Sequence, residues 1–142
     1  MKAIYTAHAT ATGGRGGHVE SSDGIVSLDL AMPPEMGGAG GGANPEQLFA
    51  AGYSACFHSA LQFVAGQGKQ DVSGSKVGAH VSIGENDAGP GFKLGVVLDI
   101  DVPTMSQEDA EKLAETTHQV CPYSNATRGN IDVELNVTGG KA

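Results

Sequence analysis

Residues 44–66 run NPEQLFAAGYSACFHSALQFVAG, a helix almost without charge. Asn44 is a good N-cap, Pro45 suits the first helical position, and Glu46 suits the positive end of the helix dipole. Between Glu46 and Lys69 no acidic or basic residue intervenes apart from His58. Leu48, Phe49, Tyr53, Phe57, Leu61, Phe63 and Val64 surround the helix instead of forming one stripe, and a helix apolar all round is a buried one. Ala50, Ala51, Gly52, Ser54, Ala55, Ser59 and Ala60 let other backbones come close. Inside this stretch sits Cys56, one of only 2 cysteines.

The flanks supply the sheets. KAIYTAHATATG (residues 2–13) is rich in Thr and in β-branched or aromatic residues and ends at glycines, so it reads as a strand. GGRGG (13–17) breaks it with a flexible turn. HVESS and IVSLDLAM read as a hairpin closed by Asp23-Gly24. PPEMGGAGGGANP is a long Gly- and Pro-rich loop, which inside one small domain is more often functional than a linker. After the uncharged helix, KVGAHVSIGEN and FKLGVVLDIDVP are two strands joined at DAGPG. SQEDAEKLAETTHQV is an amphipathic helix capped by Ser106, with Glu108 and Asp109 in its first turn. CPYSNATRGN interrupts it, and IDVELNVTGG closes with a period-2 strand. The order is three strands, a helix, two strands, a helix and one strand. That is an α+β fold of antiparallel hairpins with helices against the sheet, in a single domain over 1–142.

Composition narrows the function. The chain has 142 residues, 16 acidic against 8 basic, for a formal charge of -8. That balance argues against nucleic acid and against an anionic membrane surface, both of which reward Lys and Arg. The N-terminal MKAIYTAHAT has no apolar core of the kind a signal peptide needs, and no run approaches the ~20 apolar residues of a membrane span. The expected location is the cytoplasm. Two cysteines in a reducing compartment are either buried thiols or a working redox pair.

Cys56 needs help to react. Free cysteines often simply pack in a core, and burial disfavours the thiolate that reactivity requires. Cys56 lies about 18 Å past Asn44 along the helix, beyond the reach of the dipole. Arg15, alone among glycines, is the natural cation, although a solvated loop arginine is the plain alternative. Glu46 is a candidate carboxylate for Arg15, or merely a first-turn acid. Glu46 and Cys56 are roughly 15 Å apart on a straight helix, so one arginine does not easily touch both. Either the helix is irregular or Cys56 meets Arg15 and Glu46 of a second subunit, and a homodimer with sites across its interface is expected. Cys121 follows much later, just before Pro122; whether the thiols meet depends on a Cα separation of about 4.4–6.8 Å that spacing leaves open. His58 lies on the side of the helix away from Cys56, while His118 and Cys121 can share a face. No CxxC, HxxxH, nucleophile elbow or P-loop accompanies them, so a metal site, a Cys–His hydrolase and a phosphate site are disfavoured.

Two segments carry a resemblance. GGAGGGANPEQLFAAGYSACF and VCPYSNATRGNIDV are similar to the signature segments of the organic hydroperoxide resistance proteins, within the wider family that includes the osmotically inducible protein C (OsmC) group. The similarity covers essentially the whole chain, with both cysteines in place. The resemblance implies an OsmC-like intertwined homodimer with the cysteine helices buried centrally, and a thiol peroxidase acting on alkyl and fatty-acid hydroperoxides in oxidative-stress defence. By motif, Cys56 corresponds to the peroxidatic and Cys121 to the resolving cysteine, joined in a disulfide during the cycle, and Arg15 and Glu46 fall at the family's active-site arginine and glutamate. It implies recycling by a lipoyl dithiol, dihydrolipoamide or a lipoylated protein, with no metal, haem or flavin. Phe49, Tyr53, Phe57, Phe63 and Met36 are the expected apolar walls of the substrate pocket. The alternatives are a broader-specificity OsmC-type peroxidase, a non-catalytic redox-sensing dimer that binds lipid, and a fold in which both thiols are inert core.

Overall fold

Alternation builds the larger sheet. A computed structural model describes residues 1–141 of the chain, with β4 (Lys76–Glu85), β5 (Phe92–Ser106) and β6 (Val133–Lys141) in the order β4-β5-β6. Successive side chains on a strand face opposite ways. The register therefore stacks apolar rows across all three strands: Val81, Val96 and Val133; Ala79, Leu98 and Leu135; Val77, Ile100 and Val137. The opposite face carries His80, Asp99 and Asn136, hydrogen-bonded side by side.

Two helices follow the hairpin. Ser106 caps α2 (Gln107–Val120) by accepting from the backbone N–H of Asp109 at 3.2 Å. Its buried stripe is Ala110, Leu113, Ala114 and Thr117. The CPYSNATRGN segment does more than interrupt: Pro122–Thr127 forms a short helix, α3, with Pro122 in its first turn. α2 and α3 together carry the chain from β5 back to β6. That crossover makes the β5–β6 pairing parallel, where hairpins alone would have kept the sheet antiparallel. The expected α+β class stands; this one pairing differs.

The uncharged helix is α1 (Pro45–Gln67), unbroken over 23 residues. Asn44 Oδ1 accepts from the Gln47 backbone N–H at 2.8 Å, and Gln47 Oε1 accepts in return from the Asn44 N–H at 3.3 Å, a reciprocal capping box. The expectation of burial all round holds on one side only. Tyr53, Phe57, Leu61 and Ala65, four residues apart, enter the core with Leu98, Ile100 and Leu113. Ala51, Ala55, Ser59 and Phe63, on the other side, are exposed. By length and composition alone, at a mean hydropathy of 1.2, α1 is also long and apolar enough to cross a membrane, which the sequence reading had not found in any run.

The backbone gathers into two compact units, Met1–Leu48 and Phe49–Ala142. The first holds an antiparallel meander of β1 (Ala9–Thr12), β2 (His18–Ser21) and β3 (Ser27–Asp29). β1 begins at Ala9 and not at residue 2, since its partner β2 ends opposite it at Ser21. The Asp23-Gly24 turn is present, with the Gly24 N–H donating to Ser21 O at 2.9 Å and Asp23 Oδ1 accepting from Ser21 Oγ and the Ile25 N–H. No residue of these three strands is buried.

Leu98 is fully enclosed at the centre of the middle strand. Leu98→Ala is expected to lower the unfolding free energy by about 3 kcal/mol, and Ser106→Ala by about 1 kcal/mol, both read from denaturant melts.

Candidate active site

Arg15 sits in a single 3-10 turn, Gly14–Gly16. Gly13 and Gly14 both have positive φ, 75° and 58°, and a Cβ on Gly17 would lie 1.7 Å from the carbonyl oxygen of Thr12. Glycine is therefore required on both sides of the arginine for the loop to fold back. The guanidinium meets Glu46 in a fork: Nη1 donates to Oε2 at 2.8 Å and Nη2 to Oε1 at 2.6 Å. Glu46 is 13% exposed and Arg15 33%. The hydrogen bonds from Arg15 hold the Glu46 carboxyl below its ordinary range, against the opposing effect of burial. A guanidinium has five N–H donors, so those not spent on Glu46 remain for another acceptor.

The two cysteines meet in the second unit. Cys56 Sγ and Cys121 Sγ are 3.8 Å apart across 65 residues of sequence, both as free thiols. Cys121 is fully enclosed, while Cys56 is only partly so. Burial pushes the Cys56 thiol above its ordinary value; a backbone hydrogen bond from Tyr123 works against this, and Cys121 alongside adds to the rise. A neutral thiol at rest, next to a second thiol, is what the position dictates.

Aromatic rings and hydroxyls frame the sulfurs. Tyr123 packs edge-on to Phe49 and tilted against Tyr53, with centroids 6.1 and 5.6 Å away. Gly52 makes room for it: a Cβ there would lie 2.6 Å from the Tyr123 hydroxyl. The Tyr53 hydroxyl bonds Ser124 Oγ at 2.9 Å and Thr127 Oγ1 at 3.0 Å. His118 Nδ1 lies 2.7 Å from the same Ser124 Oγ.

The expected pocket residues scatter. Tyr53 and Phe57 are wholly inside the core, where their four-residue spacing points them at the sheet. Phe63 is 62% exposed on the uncovered side of α1. Met36 ends a 3-10 turn, Pro34–Met36, in the first unit and is partly exposed. Phe49 does line a cleft of about 540 Å³, with Phe92, Leu94, Ala126, Ile131 and Lys93. Tyr123, Ser124 and Thr127 were missed as site residues; the small residue at Gly52 is the one local signal that an aromatic ring seats there.

Fold and site together define a two-cysteine α+β protein, and the chain belongs to the family of OsmC-like proteins, whose model matches residues 38–136. It is 53% identical over 137 residues to the organic hydroperoxide resistance protein of Xanthomonas axonopodis pv. citri, covering 96% of each chain. It is 44% identical over 135 residues to the organic hydroperoxide resistance protein OhrB of Bacillus subtilis, covering 95% of this chain and 98% of that one. The crystal structure of an organic hydroperoxide resistance protein from Legionella pneumophila superposes with a TM-score of 0.91 at 52% identity, over 96% of this chain and 99% of that one.

The depressed Glu46 titration has a sign. A carboxylate whose folded pKa lies below its unfolded one contributes stability above the unfolded value and loses it as pH falls through the folded value. The advantage of wild type over Glu46→Gln is therefore expected to be full above about pH 5, around the ordinary Glu range, and to fade on acidification below it. Denaturant midpoints of the two proteins measured from pH 7 down to pH 3 test this; a constant difference throughout would mean that the ion pair contributes nothing.

Proposed function

We propose that this protein is a peroxide-detoxifying stress protein, a thiol peroxidase that reduces organic hydroperoxides to alcohols. The observation that carries the reading is the pair of free thiols 3.8 Å apart, one partly open and one enclosed. The names of the relatives above support the substrate class.

The cycle balances with two thiols and an external dithiol. The Cys56 thiolate attacks the distal peroxide oxygen, the O–O bond breaks, and the departing alkoxide takes a proton and leaves as alcohol. Cys56 is left as a sulfenic acid, oxidised by two electrons. The Cys121 thiolate attacks that sulfur and water departs, giving a Cys56–Cys121 disulfide. A lipoyl-type dithiol, free or on a protein, restores both thiols by exchange and becomes the cyclic disulfide. No metal or organic cofactor enters these steps, and a reduced cytoplasm suits them.

The resting thiol is raised, so a cation has to lower it when substrate is present. Arg15, pre-oriented by Glu46, is that cation, reaching Cys56 across a homodimer. Two features support the second copy. The solvent side of α1 presents Ala51, Ala55 and Phe63. No strand residue of the small first-unit sheet is fully buried, the neighbouring Ile4, Tyr5 and Ile25 are exposed, and three short strands are marginal in water without a well-covered face. Burying these apolar faces would also give a greasy site that favours an alkyl hydroperoxide over hydrogen peroxide.

Cumene hydroperoxide consumption by wild type and Cys56→Ser, with dihydrolipoamide and then glutathione, tests the reading. Turnover with the lipoyl dithiol is expected in wild type only, with hydrogen peroxide a poorer substrate by at least about tenfold, roughly 1.4 kcal/mol of barrier. If Cys56 oxidises once and never cycles with either reductant, the protein is a redox sensor, and its apolar cleft becomes a lipid site.

Cys121→Ser should oxidise at Cys56 as fast as wild type in the first turnover. It should then run on to the sulfinic acid at lower peroxide concentrations, a +32 Da product by mass spectrometry. Normal cycling by that variant would remove Cys121 from the resolving role.

A further inference from the structure

The cysteines are flanked at helical spacing by one hydrogen-bonded chain. Tyr53 lies three residues before Cys56 on α1. His118 lies three before Cys121, and Ser124 three after it. Their side chains join in a line: His118 Nδ1 to Ser124 Oγ at 2.7 Å, Ser124 Oγ to Tyr53 Oη at 2.9 Å, Tyr53 Oη to Thr127 Oγ1 at 3.0 Å. Thr127 Oγ1 also lies 3.3 Å from the Ser124 carbonyl oxygen. Tyr53, Ser124 and Thr127 are buried, so these hydroxyls depend on each other in place of water.

The line works in either direction. With a proton on His118 Nδ1, the ring donates to Ser124, Ser124 to Tyr53, Tyr53 to Thr127, and Thr127 to the Ser124 carbonyl. With the other tautomer, Thr127 donates to Tyr53, Tyr53 to Ser124, and Ser124 to the bare Nδ1. Every hydroxyl hydrogen has an acceptor in both arrangements. Outside the line, Arg128 donates from Nη1 to Asn125 Oδ1 at 2.9 Å and from Nη2 to the His118 carbonyl oxygen at 2.6 Å, fastening the end of α2 to α3. Burial holds His118 below its ordinary pKa, with Arg128 reinforcing and Glu115 opposing, so the neutral ring is its resting form.

We propose that the His118–Ser124–Tyr53–Thr127 line is a splint that sets the separation of the two sulfurs, with His118 and Ser124 as positioning residues that touch neither sulfur nor substrate. The proposal rests on the two thiols being a working pair, and it goes beyond the peroxidase reading in saying what makes them one. Besides this line, α1 and the turn bearing Cys121 are joined by ring packing and by the contacts of the Tyr123 backbone and the Cys121 thiol with Cys56 Sγ, which are softer than oxygen and nitrogen hydrogen bonds at 2.7–3.0 Å. A slip of an ångström at the splint is carried to the sulfurs one helical turn away.

The test reads the thiol pair without peroxide. Wild type, Ser124→Ala, His118→Leu and His118→Asn are equilibrated in glutathione buffers of graded oxidised-to-reduced ratio, and the Cys56–Cys121 disulfide is quantified by mass spectrometry after alkylation. The equilibrium constant is expected to fall about tenfold in Ser124→Ala and in His118→Leu. It should stay within about twofold of wild type in His118→Asn, whose amide replaces the Nδ1 contact. A variant that merely loosens the fold melts earlier without this selective rescue. Equal constants in wild type, Ser124→Ala and His118→Leu overturn the splint, as does a fall in His118→Asn matching that in His118→Leu. So does a wild type that forms no disulfide in oxidised glutathione. Tyr53→Phe, which removes only the hydroxyl, asks the same question from α1 should Ser124→Ala fail to fold. Failure of the peroxidase reading would appear in the hydroperoxide assays and leave these constants unaltered.

Discussion

A phenolic hydroxyl shut away from water has to be satisfied from within, and the one on Tyr53 is met by α3. Leaving such a group unpaired costs about 1–3 kcal/mol, a sizeable share of the stability of a small domain. That requirement links the parts of the second unit. Tyr53 leads the stripe by which α1 enters the core, so the helix cannot turn without losing its partners. Ser124 and Thr127 lie on a helix too short to hold itself, which takes its place by answering Tyr53. Cys121, at the head of that helix, is carried to Cys56 as a consequence.

Arg15 and Glu46 complete each other in the first unit, and neither needs the thiols to be stable. Cys56 lies in a part of α1 with no ionised neighbour on the helix, and its surroundings favour the neutral form. A helix studded with lysines would have produced a permanently reactive thiolate, exposed to whatever oxidant arrived first.

What could be read in the sequence was local. The capping of α1 by Asn44, the Asp23-Gly24 turn, the amphipathic α2 behind Ser106 and the alternation of β4 and β5 are written in adjacent residues, and the structure has each of them. Pairings over long distances were less legible. β6 lies parallel to β5 because of a crossover, and a period-2 pattern is the same whichever way its neighbour runs. Residues 2–7 have strand chemistry but pair with no strand among the described residues. α3 was taken as a break, since a proline after Cys121 marks a helix start as readily as a helix end. Glu46 is legible as the candidate carboxylate for Arg15, but the two-bond fork that joins them across 31 residues is set by the fold of the Gly14–Gly16 turn and not by spacing. Ser124 and Thr127 look like ordinary loop hydroxyls until Tyr53, more than 70 positions upstream, is set against them. On the side of α1 that is exposed in the single chain, an apolar surface indicates that burial is needed, not which chain provides it.

The crossover between β5 and β6 also bears on the order in which the protein matures. Cys56 leaves the ribosome long before Cys121, and the two have no reason to be neighbours until α2 and α3 have folded over and β6 has paired in parallel. Parallel pairing across an intervening segment is among the later events of folding, because its closure entropy is met before its contacts form. In an unfinished chain the two thiols therefore have nothing to bring them together, and their 3.8 Å approach comes only with the completed architecture.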